Sequence, residues 1–373
     1  ERIADPNRKS APWVWDLIAS VQSIADAKRI ADCWRYASGQ PQTGGDDFFP
    51  GTAAQQLADY LFAAHLGGRS VSDVFRWCSN ERDTSPADIL SEYPRYAGIA
   101  SRVSSVIALT PETRSGVFGS LQTMVAFLAD PEIIDWIDPH RDTNGNIDER
   151  RGLFDPYEFA TSEDTLYLLS AQGRPSTALT ASLTAVVAFT AFQRAQSEFT
   201  DNNRRLPVPL CCVLDEAANI CRWPELADVY SYFGSAGIPI MTIWQNPDQG
   251  RAAFGETNFG SLFNNANITV YLGGIKDAKF LGEISQLVGQ REIVRGSVNI
   301  DGTGRRSVNN SIQKENILDV SDLTEWPVGR ALLLASQSRA QIVKTLPWTG
   351  NRQWADALTQ AKAKAREEQR KAA

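Results

Sequence analysis

The stretch PVPLCCVLDEAANI, residues 207–220, decides how the chain is read. Between Leu210 and Leu214 it is an unbroken apolar run of strand length, opened by prolines and closed by two adjacent acids, Asp215 and Glu216. A short apolar run bounded in this way reads as a strand buried on both faces, as strands of parallel sheets are. Ending such a strand on two carboxylates calls for a reason. In open α/β sheets ligands sit at the carboxyl ends of the strands, which is where Asp215 and Glu216 lie. The next apolar run, IPIMTIWQ at 238–245, ends on a polar group at the equivalent height, Gln245.

The same rhythm extends outward in both directions. DTLYLLSA (164–171), PLCCVLDE (209–216), IPIMTIWQ and NITVYLGG (267–274) are separated by helical segments at about 176–199, about 225–236 and after Gln249. Strands alternating with helices predict a mostly parallel sheet with helices on both faces, an α/β fold. Upstream, WVWDLIASVQSIADAKRIADCWRYA (13–37) repeats its apolar residues at three and four and reads as helix. Every segment from 46 to 130 also reads as helix, the last opening on Thr110, Pro111 and Glu112, a cap followed by proline at the first helical position. Beyond Arg291, IVRGSVNIDGTGRRSVNNSI resembles two polar strands joined by a glycine-rich turn, followed by RALLLASQ and QIVKTL as a last strand pair. AKAKAREEQRKAA then closes the chain as a basic, solvated helix or frayed end. The expected organisation is an α/β domain built from 1–45 and 131–347, an all-helical domain at 46–130, and a basic tail at 348–373.

At 373 residues and 43% apolar, with ten Trp and sixteen Phe, the chain can bury a large core. Its net charge of −7 gives no overall attraction to nucleic acid, so any DNA contact needs a local basic surface or an assembled ring. Five cysteines without a CxxC pair, two of them adjacent in the apolar strand, read as small hydrophobes in a reducing compartment. No run reaches the ~18 apolar residues that mark a membrane span, and no signal peptide is visible. The start on Glu1 reads as that of a soluble piece of a longer protein, whose upstream anchor would be invisible here.

Four apolar residues followed by Asp-Glu is the form of a Walker B strand. The Asp holds Mg²⁺ through its water shell and the Glu polarises the water that attacks the γ-phosphate. The bland alternative is that both acids cap the following helix. Gln245 on the adjoining strand favours the nucleotide reading, because a polar group there can sense the γ-phosphate. Against it, the chain contains no GxxxxGKS or GxxxxGKT loop to cradle phosphates; GGIKDAK (273–279) lacks both the spacing and the hydroxyl. Only part of a nucleotide site is present.

The order of these segments resembles the TraG/TraD-type coupling ATPases of type IV secretion and conjugation. The matching stretches are VLDEAANI (213–220), ELADVYSYFGSAGIPIMTIWQNPDQGRAAFG (225–255) and LFNNANITVYLGGIKDAKFLGEISQLVGQRE (262–292), with DDFFPGTAAQQLADYLFAA (46–64) upstream and ILDVSDLTEWPVGRALLLAS (317–336) downstream. The resemblance implies a RecA-like P-loop NTPase core with an inserted all-helical domain. It implies a motor, homo-hexameric when complete, on the cytoplasmic face of the inner membrane. Such a motor uses ATP and Mg²⁺ to move single-stranded DNA, relaxase or relaxosome, or secreted protein substrates toward the secretion channel. Asp215 becomes the Mg²⁺ ligand, Glu216 the acid that activates water, and Gln245 the γ-phosphate sensor; Asp215 and Gln245 together hold the nucleotide. The family's phosphate loop would precede Glu1, so these residues alone are expected to bind ATP weakly or not at all. Some members carry an arginine before the sensor strand that reaches a neighbouring subunit, where this sequence has Ala236 in GSAGI; Arg251 is the substitute candidate. Two other readings stay open, a non-catalytic docking module and an FtsK-like or HerA-like DNA pump.

Further candidates are weighed against plainer readings. HRDTNGNIDERR (140–151) has part of a calcium-loop spacing, but with Gly145 in the sixth position His140 and Arg151 fall where carboxylates are required, so a polar turn is expected. His65 reads as a packed helix residue. The hydroxyls of Ser176, Thr177, Thr180, Ser182 and Thr184 are expected to bond back to their own helix. Arg174, and the hairpin residues Arg291, Arg295, Arg305 and Arg306, are candidates for phosphate contact, the alternative being solvated loop and ribbon residues. The helical block is the expected docking place for a substrate or relaxosome protein.

Overall fold

The computed structural model describes residues 13–39, 47–139, 147, 152–170, 176–300 and 306–372. His140, Asp142, Asn144, Gly145, Arg151, Arg174 and Arg305 lie outside them, and with them the calcium-loop reading. The described chain divides into two units, 1–265 and 266–373.

The first unit opens with β1 (Trp13–Trp15), where the periodicity suggested helix. Its three residues pair in parallel with β2 (Gly152–Phe154), Val14 opposite Leu153, and Trp13 packs edge-on against Trp136. Helix begins only at α1 (Ile24–Ala37), where the Ser23 hydroxyl accepts from the Asp26 amide. The helical reading ran through both because a strand bearing Trp and Val satisfies a three-four spacing over so short a span. Next come α2 (Phe48–Leu66), α3 (Val71–Ser79), α4 (Ser85–Ser91), α5 (Ala97–Ile107), α6 (Pro111–Val125) and α7 (Pro131–Ile137). Pro94 breaks the segment between α4 and α5 into a short 3-10 turn, since proline supplies no amide and clashes with the preceding turn.

The hub of this block is α2, which packs against α1, α3, α4, α5 and α6. Asp59 on α2 is fully buried and receives two guanidinium bonds from Arg102 on α5, at 2.8 and 2.6 Å. Burial pushes the Asp59 carboxyl up from its ordinary range even with Arg102 pulling the other way.

After β2 come α8 (Pro156–Phe159) and α9 (Ser176–Glu198). DTLYLLSA, expected as a strand, pairs with no strand among its described residues 164–170; Tyr167 and Leu169 face solvent while Leu166 and Leu168 rest on the core. Helix α9 is long and apolar enough to cross a membrane, but most of it is buried in the core. Three of its hydroxyls bond backward as expected, Thr180 to Ser176, Ser182 to Ala178 and Thr184 to Thr180, whereas the Ser176 hydroxyl at the helix start meets that of Ser170. His65 rests its Nδ1 3.2 Å from the Ile18 carbonyl, a packed helix residue. Then follow β3 (Cys212–Leu214), α10 (Ala217–Ile220), α11 (Leu226–Val229), β4 (Ile240–Thr242), α12 (Pro247–Phe254) and α13 (Glu256–Asn265). Strands β3 and β4 run parallel, Cys212 opposite Ile240 and Leu214 opposite Thr242.

This parallel pair is not covered on both faces, as its sequence suggested. Cys211, Val213 and Asp215, with Met241, Ile243 and Gln245, form an exposed face, while Leu214 points inward. All five cysteines are free, and burial pushes the Cys212 and Cys221 thiols up to about 12, so both stay protonated.

The second unit contains β5 (Ile268–Tyr271), α14 (Ala278–Val288), β6 (Gln290–Ile300), β7 (Arg306–Asn316), α15 (Val320–Thr324), β8 (Arg330–Ala335), β9 (Gln341–Lys344) and α16 (Arg352–Ala372). NITVYLGG, read with the parallel strands, instead pairs antiparallel with β8, which pairs with β9. Its alternation explains the difference: Ile268 and Val270 face solvent while Tyr271 is buried, the pattern of a strand covered on one side. Strands β6 and β7 form the expected ribbon, joined residue for residue from Gln290↔Asn316 to Ile300↔Arg306.

Candidate functional site

The carboxyl ends of β3 and β4 bring two of the three singled-out side chains into contact. The ladder extends past the strands, with Ile243 N–H donating to the Leu214 carbonyl at 3.0 Å and Ala217 N–H to the Ile243 carbonyl at 3.2 Å. Between these bonds the chain turns sharply at Glu216, whose φ of 49° and ψ of 46° are left-handed. A non-glycine residue held there costs on the order of 1 kcal/mol or more, and such residues cluster at functional sites. The turn carries the Glu216 carboxylate across to β4, where Gln245 Nε2 donates to Glu216 Oε1 at 2.6 Å. Asp215, one residue earlier, keeps the strand's outward direction; it is exposed and makes no hydrogen bond or ion pair with described residues.

The backbone beneath Gln245 is held from the inner side. Thr242 Oγ1 lies 3.0 Å from the Tyr230 hydroxyl and accepts from Trp244 Nε1 at 2.9 Å. Trp244 meets Phe254 and Phe259 edge-on. Asn246 then caps α12, accepting from the Gln249 amide at 2.9 Å, and Gly250 lies so close to the Phe259 ring that a Cβ would collide with it. Sequence reasoning missed the Tyr230–Thr242–Trp244 set, because a lone Thr in a strand and a Tyr twelve residues earlier carry no pattern.

Arg251, the substitute trans-acting cation, is engaged within its own chain, to Asp248 at 2.9 Å and Glu256 at 3.3 Å. Ala236, at the other candidate position, is buried, and its carbonyl accepts from the Leu206 amide. In the ribbon, Arg295 bonds Glu315 and Arg291 stands opposite it.

An exposed, unpaired carboxylate fits a hydrated Mg²⁺, and Gln245 beside Glu216 fits the terminal phosphate and its attacking water. No group of three or more His, Cys, Asp or Glu side chains capable of holding a metal occurs among the described residues, so direct multidentate coordination does not fit. The cleft of about 380 Å³ in this unit lies elsewhere, between the ends of β1 and β2 and helix α9. Its two arginines are occupied, Arg29 by Asp26 and Glu225 and Arg194 by Glu198, Tyr157 and Thr161.

Residues 209–328 match a family model described as the TraM recognition site of TraD and TraG. The fold is similar to the unbound monoclinic form of the bacterial conjugative coupling protein TrwBdeltaN70, at 17% identity and a TM-score of 0.60, covering 90% of this chain and 71% of that one. It is similar also to the plasmid coupling protein TrwB in complex with the non-hydrolysable GTP analogue GDPNP, at 16% identity and a TM-score of 0.59 over 89% and 71% of the two chains. TrwB in complex with ADP and Mg²⁺ gives 16%, 0.59, 89% and 70%. No curated protein sequence matches. The chain resembles the TraG/TraD-type coupling proteins, and its fold is their RecA-like α/β core carrying a helical domain.

Proposed function

We propose that this chain, with the fold of a conjugative coupling protein, is part of an ATPase that recruits relaxase–DNA or protein substrates and drives their transfer through a type IV secretion channel. One observation carries the reading: the Gln245–Glu216 hydrogen bond, at the ends of adjacent parallel strands, beside an unpaired Asp215 on a strained turn. In this reading Asp215 would hold a hydrated Mg²⁺ through its water shell, and such an ion would supply charge neutralisation at the phosphates. The Glu216 carboxylate takes up the proton of the attacking water, and the Gln245 amide points an N–H at the oxygen where charge builds. The left-handed turn directs the Glu216 side chain toward β4 and the Gln245 hydrogen bond holds its carboxylate there, so little reorganisation is needed during the reaction.

The phosphate-binding amides come from outside these 373 residues, since no phosphate-loop sequence is present. Alone, the chain binds ATP weakly or not at all. The exposed apolar face of β3 and β4, with Val213, Met241 and Ile243, supports this incompleteness, because parallel sheets are covered on both faces. In the complete protein that face is closed by the elements bearing the phosphate loop. The assembly is a homo-hexamer at the cytoplasmic face of the inner membrane, passing single-stranded DNA through its centre.

A second reading, a docking module for a relaxosome component, is supported by the TraM-recognition match over 209–328. The two separate on ATP hydrolysis by the protein complete with its phosphate loop, with and without single-stranded DNA. Hydrolysis stimulated by DNA is expected; none under either condition leaves only the docking module.

A further inference from the structure

The second unit ends in a helix of 21 residues, α16, which among the described residues packs mainly against the short 3-10 turn Trp348–Gly350 just before it. We propose that α16 is a membrane-surface helix that lies on anionic phospholipid. Three observations carry this.

The first is charge. Residues 352–373 hold six Lys and Arg against three Asp and Glu, a net of +3, whereas the rest of the chain holds 31 against 41, a net of −10. The cationic character is local to this helix.

The second is its arrangement. At ~100° per residue, Trp354, Leu358, Ala361 and Ala365 fall on one narrow stripe. By position in the helix, Lys362 and Arg366 flank that stripe on one side and Lys364 and Lys371 on the other; Asp356 and Glu367 share the opposite pole with Arg352 and Arg370, and Glu368 falls beside Ala361 at the stripe's edge. Four cations on the flanks against a single acid there suit an interface, where long basic side chains snorkel to headgroups while the apolar stripe enters the acyl boundary. A nucleic-acid-binding helix gathers its cations on one continuous face, without an apolar centre.

The third is exposed apolar surface at the root of the helix. Leu346 is 76% exposed, Trp348 50% and Trp354 63%. Indole rings are favoured at the headgroup level of bilayers. Each basic residue near an anionic surface contributes about 1 kcal/mol, so the four flanking cations outweigh what Glu368 at the stripe's edge and the two acids on the far side remove. The inference concerns the tail alone and stands apart from the nucleotide site.

The test is sedimentation of the 373-residue chain with vesicles of phosphatidylglycerol and phosphatidylethanolamine, or of pure phosphatidylcholine, at low and 0.5 M salt. Binding is expected to the anionic vesicles only and to fall at least fivefold in high salt. Lys362→Glu with Arg366→Glu, both at solvent positions, reduces it at least tenfold; Leu358→Gln reduces it at least threefold; Asp356→Asn does not reduce it. Bromine-labelled acyl chains quench part of the tryptophan emission, and Trp354→Phe removes that part. Equal binding to both vesicle types, or binding unaffected by the double charge reversal, overturns the proposal. So does a result in which these variants leave vesicles unaffected but abolish DNA binding or self-association.

Discussion

Glu216 is the residue on which sequence and backbone most plainly disagree. Nothing in PVPLCCVLDEAANI favours a left-handed residue at this point, yet φ is 49° there. Its strain is a property of position rather than of composition, since the ladder bonds to Ile243 on one side and the Gln245 contact on the other fix the turn. Replacing Glu216 by glycine relieves the strain and is expected to raise stability by about 0.5–1 kcal/mol in urea unfolding, despite losing an exposed hydrogen bond. A loss of stability in Glu216→Gly would show that the turn is unstrained. At Gln245 the prediction is kinetic: Gln245→Ala in the complete protein slows hydrolysis tenfold or more, about 1.4 kcal/mol of barrier. An unchanged rate removes Gln245 from the mechanism.

Among elements, the ones legible from sequence were those whose stability is local. The helices from α2 to α6 and α9 carry their own apolar spacing, and α3 its own capping box at Ser70 and Asp73, whereas Thr110, read as the cap of α6, meets the Thr113 hydroxyl instead of a helix amide. Elements defined by a partner were harder to read. DTLYLLSA has strand composition but no ladder among its described residues, and β5 chose an antiparallel partner that only the fold could supply. Residues 13–15 were read as helix because three residues cannot distinguish a period. The contact between α2 and α5 gives a prediction of its own. Arg102→Leu leaves Asp59 buried without its cation and is expected to cost about 3 kcal/mol at pH 7.5. Burial already raises the Asp59 pKa in the folded chain, and removing Arg102 takes away a lowering influence. An acid whose folded pKa lies above its unfolded value stabilises the fold as pH drops through the folded pKa, by taking up its proton. The Arg102→Leu deficit is therefore smaller at pH 5 than at pH 7.5, and a deficit independent of pH would show that Asp59 is not the cause. Likewise Gly250→Ala, forced against the Phe259 ring, is expected to cost about 1–3 kcal/mol in thermal or urea unfolding.

Over the whole molecule, fold similarity at 17% identity means that architecture has outlasted most side chains. What sequence reasoning could recover of the site was therefore its punctuation, acids and an amide at strand ends, and not the inner Tyr230–Thr242–Trp244 support that holds Gln245. The uncovered apolar face on β3 and β4 was likewise illegible, because a run such as LCCVL looks the same whether one or both faces are packed. The most direct measurement is a paired comparison in the protein complete with its phosphate loop: nucleotide affinity and hydrolysis rate for the native sequence and for Glu216→Gln. The account predicts unchanged ATP affinity with hydrolysis lowered at least a hundredfold; a Glu216→Gln protein that turns over ATP at the native rate contradicts it.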